Sequence, residues 1–198
     1  MHTSNACPQR ARAMHRAMPL ASALLAVALP TSILAAEPGP HSHGTAELRV
    51  AVDANQLEIS LESPLDSLLG FEHAPRNAAE RAAVRAMSAK LRQAQTLFTP
   101  TGAAQCRLTS VKLSSAALPA DLLGEPRPAK PEATKDEDGH ADLDATFAFN
   151  CAAPTQLRGM EVALMSAFSG LRKLNVQVVG PRGQSAMLLV PGKRNVNW

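Results

Sequence analysis

Apolar and polar residues alternate strictly at the start of the region that carries most of the chain's pattern. Leu48, Val50 and Val52 share one face of an extended segment, and Leu57, Ile59 and Leu61 share one face of the next. Asp53-Ala54-Asn55-Gln56 supplies a tight connection, so residues 46–62 are predicted to form a β-hairpin. Pro64 ends it. Beyond Pro75 the period lengthens: Asn77 stands as a helix cap with Glu80 three residues on, and Val84, Met87, Leu91, Ala94 and Phe98 follow at helical spacing. Arg81, Arg85 and Arg92 fall on the other side, a solvated face.

Residues 105–113 are predicted as a strand, with a bulge near Thr109-Ser110 where the apolar parity shifts. Residues 118–140 hold four prolines, mixed charge and almost no large apolar residue after Leu123, which predicts a long, flexible, solvated loop. Leu143, Ala145, Phe147, Phe149 and Cys151 alternate again. From 157 to 171 strand and helix periods both fit. Leu174, Val176 and Val178 make a further strand, turned by Gly180-Pro181-Arg182-Gly183 into a last one at 184–190. Paired strands with one or two helices give an α+β class: a single domain of antiparallel strands with a long solvated loop.

The first 36 residues differ from all of this. Arg10, Arg12 and Arg16 precede the apolar run Leu20–Leu29, and Ile33-Leu34-Ala35-Ala36 follow it before the first acid at Glu37. That is the order of a cleaved secretory signal peptide, with a run too short for the roughly 20 residues of a membrane span. Cleavage after Ala36 places Leu34 at −3, and cleavage after Ala35 places Ile33 there. The expected product is an exported, periplasmic domain, residues 37–198, with no stable membrane anchor.

Removal of the leader also changes the charge. The whole chain has 20 basic and 17 acidic residues, and three of the basic ones lie in the leader. The remaining domain is neutral with histidine uncharged, so no nucleic-acid partner is expected. Cys7 leaves with the leader, and Cys106 and Cys151 remain as an even pair in an oxidising compartment. A disulfide between them closes a loop of roughly 46 residues, worth roughly 4 kcal/mol on the chain-entropy account. The alternative, a pair of zinc thiolates, lacks C-x-x-C spacing.

Candidate chemistry rests on four histidines. His41 and His43 stand at i and i+2, so an extended chain turns both imidazoles to one side, where they can share a zinc, copper or nickel ion. His73 lies in Gly70-Phe71-Glu72-His73-Ala74-Pro75, and His140 closes Asp136-Glu137-Asp138-Gly139-His140. Solvated histidines in a tail, a core histidine bonded to backbone and a solvated acidic run are the plainer alternatives at these three places. There is no nucleophile elbow, Walker loop, dinucleotide glycine motif or H-E-x-x-H helix, so no enzyme activity is expected.

His41-Ser42-His43-Gly44-Thr45-Ala46-Glu47-Leu48, Leu61-Glu62-Ser63-Pro64, the Gly70–Pro75 segment, Cys106, Phe149-Asn150-Cys151 and Gly183-Gln184-Ser185-Ala186 together resemble the periplasmic, zinc-regulated ZrgA-type family. The resemblance spans nearly all of residues 37–198. It implies a zinc-binding (Zn2+) accessory protein that assists zinc import, working with importer components in the periplasm, and gives His41, His43 and His73 a zinc role. Family members typically pack their middle loop with His, Asp and Glu, whereas residues 125–140 keep the acids and prolines but only His140. The alternatives are a metal-independent envelope adaptor or interaction module, and a metal-dependent hydrolase, which would need a carboxylate ligand and a base near His73.

The leader pattern makes one direct prediction. The secreted product should begin close to Glu37, and its intact mass, taken with and without thiol alkylation before reduction, should show no free cysteine.

Overall fold

The computed structural model describes residues 43–126 and 141–198. The expected leader, His41, His140 and most of the expected loop therefore lie outside the described residues. Alternation produces strands at the expected positions: β1 (Thr45–Asp53) and β2 (Gln56–Pro64) form the first hairpin, in register from Glu47↔Glu62 to Asp53↔Gln56. Helix α1 (Leu65–Leu69) is a single turn held between Pro64 and Gly70. Asn77 accepts from Glu80 N at 2.9 Å and caps α2 (Ala78–Arg92). The Glu80 carboxylate in turn accepts from Arg76 N and from the Asn77 amide, so the expected cap is reciprocal.

The helix ends earlier than its period suggests. Val84, Met87 and Leu91 are buried on α2, but Ala94 is buried from the short α3 (Ala94–Leu97) and Phe98 from β3 (Phe98–Pro100). Strand β4 (Cys106–Ser114) carries the expected bulge, its register shifting between Leu108 and Ser110. The segment after it departs from a solvated loop. Leu118, Leu122 and Leu123 are buried, the latter two on α4 (Ala120–Leu123).

Arg92 is the reason α4 stays in place, and it does not belong to the solvated face. Its guanidinium donates to Leu123 O at 2.7 Å and pairs with Glu125 Oε1, which also accepts from Leu113 N at 3.0 Å. Ser88 Oγ donates to the same Leu123 carbonyl at 2.8 Å. A carbonyl at a helix C-terminus is left without an intrahelical partner, and here two side chains of α2, Ser88 and Arg92, donate to it.

β5 (Asp142–Cys151) returns between β4 and β2. The ambiguous stretch resolves into both readings in succession: β6 (Gly159–Val162), then the single-turn α5 (Leu164–Ala167). The chain closes with β7 (Lys173–Gly180), β8 (Gly183–Leu189) and β9 (Asn195–Asn197). Among the described residues the main sheet runs β4-β5-β2-β1-β7-β8, and a small second sheet runs β3-β6-β9. The main sheet is antiparallel except at one ladder, where β1 and β7 run parallel from Thr45↔Lys173 to Ala51↔Val179. Parallel neighbours need a long crossover, and here nearly the whole domain separates them, so no local signal announces the pair.

One face of the main sheet is buried. Leu48, Ile59, Phe147 and Val176 pack with Leu91, Phe98 and Leu164 into one core. Phe98 meets Phe147 with ring centroids 4.9 Å apart and planes tilted by 55°. Burying each such side chain stabilises by roughly 1.5–3 kcal/mol. Cys106 and Cys151 stand directly opposite in the β4–β5 ladder and form a disulfide. No described helix is long and apolar enough to cross a membrane.

The other face is polar, and it gathers like charges. Glu62 stands opposite both Glu47 and Asp144. Partial burial, then Glu62 and Asp142, push the Asp144 carboxyl above its ordinary value, with Arg49 opposing them. A raised carboxyl binds its proton more tightly folded than unfolded. Its ionisation therefore removes stability as pH rises through the elevated value. Asp144→Asn should raise Tm near neutral pH, and the gain should shrink in buffers below about pH 4, where the aspartate is protonated in both states. Thermal unfolding across that range checks it.

Candidate metal-binding site

The entry to β1 fixes His43. Gly44 has φ +77°, and its N–H donates to the buried Ser67 Oγ at 2.9 Å. Its carbonyl accepts from Arg172 N at 2.7 Å and Lys173 N at 2.9 Å, tying the residue to the start of β7. A side chain here would need a left-handed backbone and would press on Arg172 and the Gly170 carbonyl at 3.2 Å. Gly170 is tighter still, since a Cβ there would sit 2.4 Å from Ser67 O. Two glycines thus let the β1 entry, α1 and the β7 entry close together.

That closure sets His43 beside two carboxylates. His43 Nδ1 lies 2.9 Å from Asp66 Oδ2, in the first turn of α1, and 3.7 Å from Glu72 Oε1. A carboxylate only accepts, so Nδ1 carries the proton and donates to Asp66. The His43 side chain keeps 65 % of its surface exposed. With Nδ1 engaged, Nε2 is the ring nitrogen that could hold a metal ion, and a carboxylate on Nδ1 strengthens the opposite nitrogen as a donor to a cation.

His73 sits among other partners. Its Nδ1 donates to Ala74 O at 3.0 Å, its ring stacks on Phe71 at 5.0 Å, and Glu80 Oε2 lies 3.9 Å away. This imidazole also has its Nδ1 occupied by a backbone carbonyl, which again leaves ligation to Nε2. Glu72 therefore turns toward His43, while Phe71 and His73 stack on each other and His73 lies beside the cap of α2. Among the described residues no three His, Cys, Asp or Glu side chains form a group that could hold a metal ion. His41 precedes the described part by two positions. Ala141, the residue after His140 in the chain, accepts from Leu65 N at 2.9 Å, next to Asp66.

Asp66 and Glu72 are absent from the ligand set that the sequence pattern suggests. Glu72 stands inside the Gly70–Pro75 segment, but its neighbour His73 is the more obvious ligand there. Asp66 follows Pro64 in a turn whose distance to residue 43 no spacing rule gives.

Comparison with known proteins places the chain in a family. The model of the ZrgA family zinc uptake protein matches residues 40–198, well over half of the sequence, so the chain belongs to that family. No curated protein matches it.

Ser67 tests the scaffold. Ser67→Ala leaves the buried Gly44 N–H without its acceptor, so denaturant unfolding should show a loss of about 1–3 kcal/mol.

Proposed function

We propose that this ZrgA-family chain is a periplasmic zinc-binding accessory protein that collects Zn2+ and passes it to zinc-import components. The observation that carries the reading is the His43–Asp66 hydrogen bond at 2.9 Å, in a chain of a zinc uptake family. A histidine whose outer nitrogen is to hold zinc characteristically gives its other N–H to a carboxylate or a backbone carbonyl. His43 and His73 both do so. His43 Nε2 binds the ion, and Asp66 orients the ring and stabilises the positive charge gathered there. Glu72 adds a second negative charge close by.

The other ligands come from His41, two positions before His43, and from His140, whose neighbour Ala141 is bonded beside Asp66. His73 joins them or holds a separate, weaker ion. Zinc is a cargo in this reading, and a cargo ion must both enter and leave. An exposed site with few protein ligands suits that exchange. Neutral imidazole and carboxylate oxygen are both suitable zinc donors.

Calorimetry on metal-stripped protein tests this. The expected result is about one Zn2+ per chain at about pH 7.5, with weaker binding at about pH 5.5, where protons compete for imidazole nitrogen. Replacing both His41 and His43 with Ala should weaken binding by at least roughly tenfold. Asp66→Ala should weaken it by about tenfold while His43 is still present. Zinc affinity unchanged in both variants overturns the site. Absence of zinc binding in every titration favours the metal-independent adaptor.

A further inference from the structure

The two outer strands of the main sheet, β4 and β8, end it in different ways. An edge strand offers a row of unpaired N–H and C=O groups to any strand that meets it, and folded proteins blunt it with a bulge, a charge or a cover. β4 has all three. Its register shifts between Leu108 and Ser110, and Arg107 and Lys112 stand along it. Part of its backbone is also taken from outside the sheet: Arg92 Nη1 donates to Val111 O at 3.4 Å, and Glu125 Oε1 accepts from Leu113 N at 3.0 Å.

β8 has none of these. Gly183-Gln184-Ser185-Ala186-Met187-Leu188-Leu189 contains no charge and no proline, and it pairs with β7 over its whole length without a register shift. Among the described residues its backbone is bonded by β7 alone. The large apolar side chains left exposed among the described residues are Val179, Leu188 and Val190, and all three belong to this margin of the sheet. Val179 stands opposite Gln184 and Leu188 opposite Asn175, on the face away from the core. Their exposure leaves an apolar spot toward each end of β8.

We infer that β8 is a self-association edge, at which a second copy of this chain adds its own β8 antiparallel to the first and continues the sheet. A two-fold axis normal to the sheet carries the Leu188 end of each strand toward the Val179 end of the other, so the apolar spots meet in pairs. The same axis sets residues near the strand centre opposite themselves or close neighbours, and β8 has no charge that would face its own copy. Of the 20 basic residues three precede residue 37, so residues 37–198 hold 17 basic and 17 acidic side chains and no net charge drives two copies apart. Seven residues span only about 23 Å. A contact one strand wide and of that length is at the small end of interface sizes, which makes the dimer reversible.

Sedimentation equilibrium of the metal-stripped secreted chain tests this. The expected result is monomer at about 5 μM and a weight-average mass approaching twice that value by about 500 μM. Ala186→Lys places a charge on the exposed centre of β8, where the copy's own lysine would meet it, and should keep the chain monomeric throughout. Circular dichroism checks that this variant is folded. Independently, Ala186→Cys should form an interchain disulfide on mild oxidation of the concentrated protein, and Lys112→Cys on the guarded β4 edge should not. A wild-type chain that stays monomeric across the range overturns the proposal. So does a dimer that survives Ala186→Lys, or one that cross-links through position 112 and not through position 186.

Discussion

The parallel ladder between β1 and β7 joins two hairpins that are otherwise separate in the chain. β1–β2 and β7–β8 would each leave an unpaired inner edge, and their union makes one continuous hydrogen-bonded sheet. It also sets the entry to β1 against the entry to β7, where the Gly44 carbonyl receives two amides from Arg172 and Lys173. Ser67 on α1 then satisfies the Gly44 amide, and Gly170 lets α1 approach without a clash. The site follows from this arrangement: α1 is brought to His43, and Asp66 rides on α1.

The proposed metal site differs from a closed structural zinc site. The described residues provide an oriented imidazole and nearby negative charge, not a complete coordination sphere. Orientation is the part that a folded scaffold supplies best, because holding a ring in one rotamer removes an entropy loss from the binding step. The carboxylates also favour approach of a cation through partly open surface. In the proposed carrier, such a site combines capture with release better than four rigid ligands would.

Much of this architecture is legible in the sequence, and the legible parts share a cause. Both hairpins, the Thr109 bulge and the α2 cap depend on neighbours in sequence, or on alternation long enough to show a period, and the Cys106–Cys151 pair is legible because two cysteines remain once the leader is set aside. Short elements are not legible: β3 and β9 have three residues each, too few for any period to appear. Residues 157–171 look ambiguous because they contain a strand and a helical turn in succession. Arg92 looks solvated because the α2 pattern cannot show that α4 returns to receive its guanidinium. The same limit separates the two parts of the site. His43 is visible as half of a His-x-His pair, whereas Asp66 and Glu72 become its neighbours only through contacts that span the β1–β2 hairpin.

The Cys106–Cys151 bridge has a consequence for how such a chain can diversify. It closes the outer end of the β4–β5 ladder, while Arg92 and Glu125 secure the chain soon after β4, before residue 127. Changes of sequence between Glu125 and β5 leave these anchors of the sheet untouched. Doubling the length of such a segment costs only about 0.6 kcal/mol in closure entropy. The stretch can thus vary in length and composition without requiring the scaffold to refold. In the proposed zinc carrier the number of histidines in this stretch can vary while the sheet stays the same, and in this chain it holds one, His140.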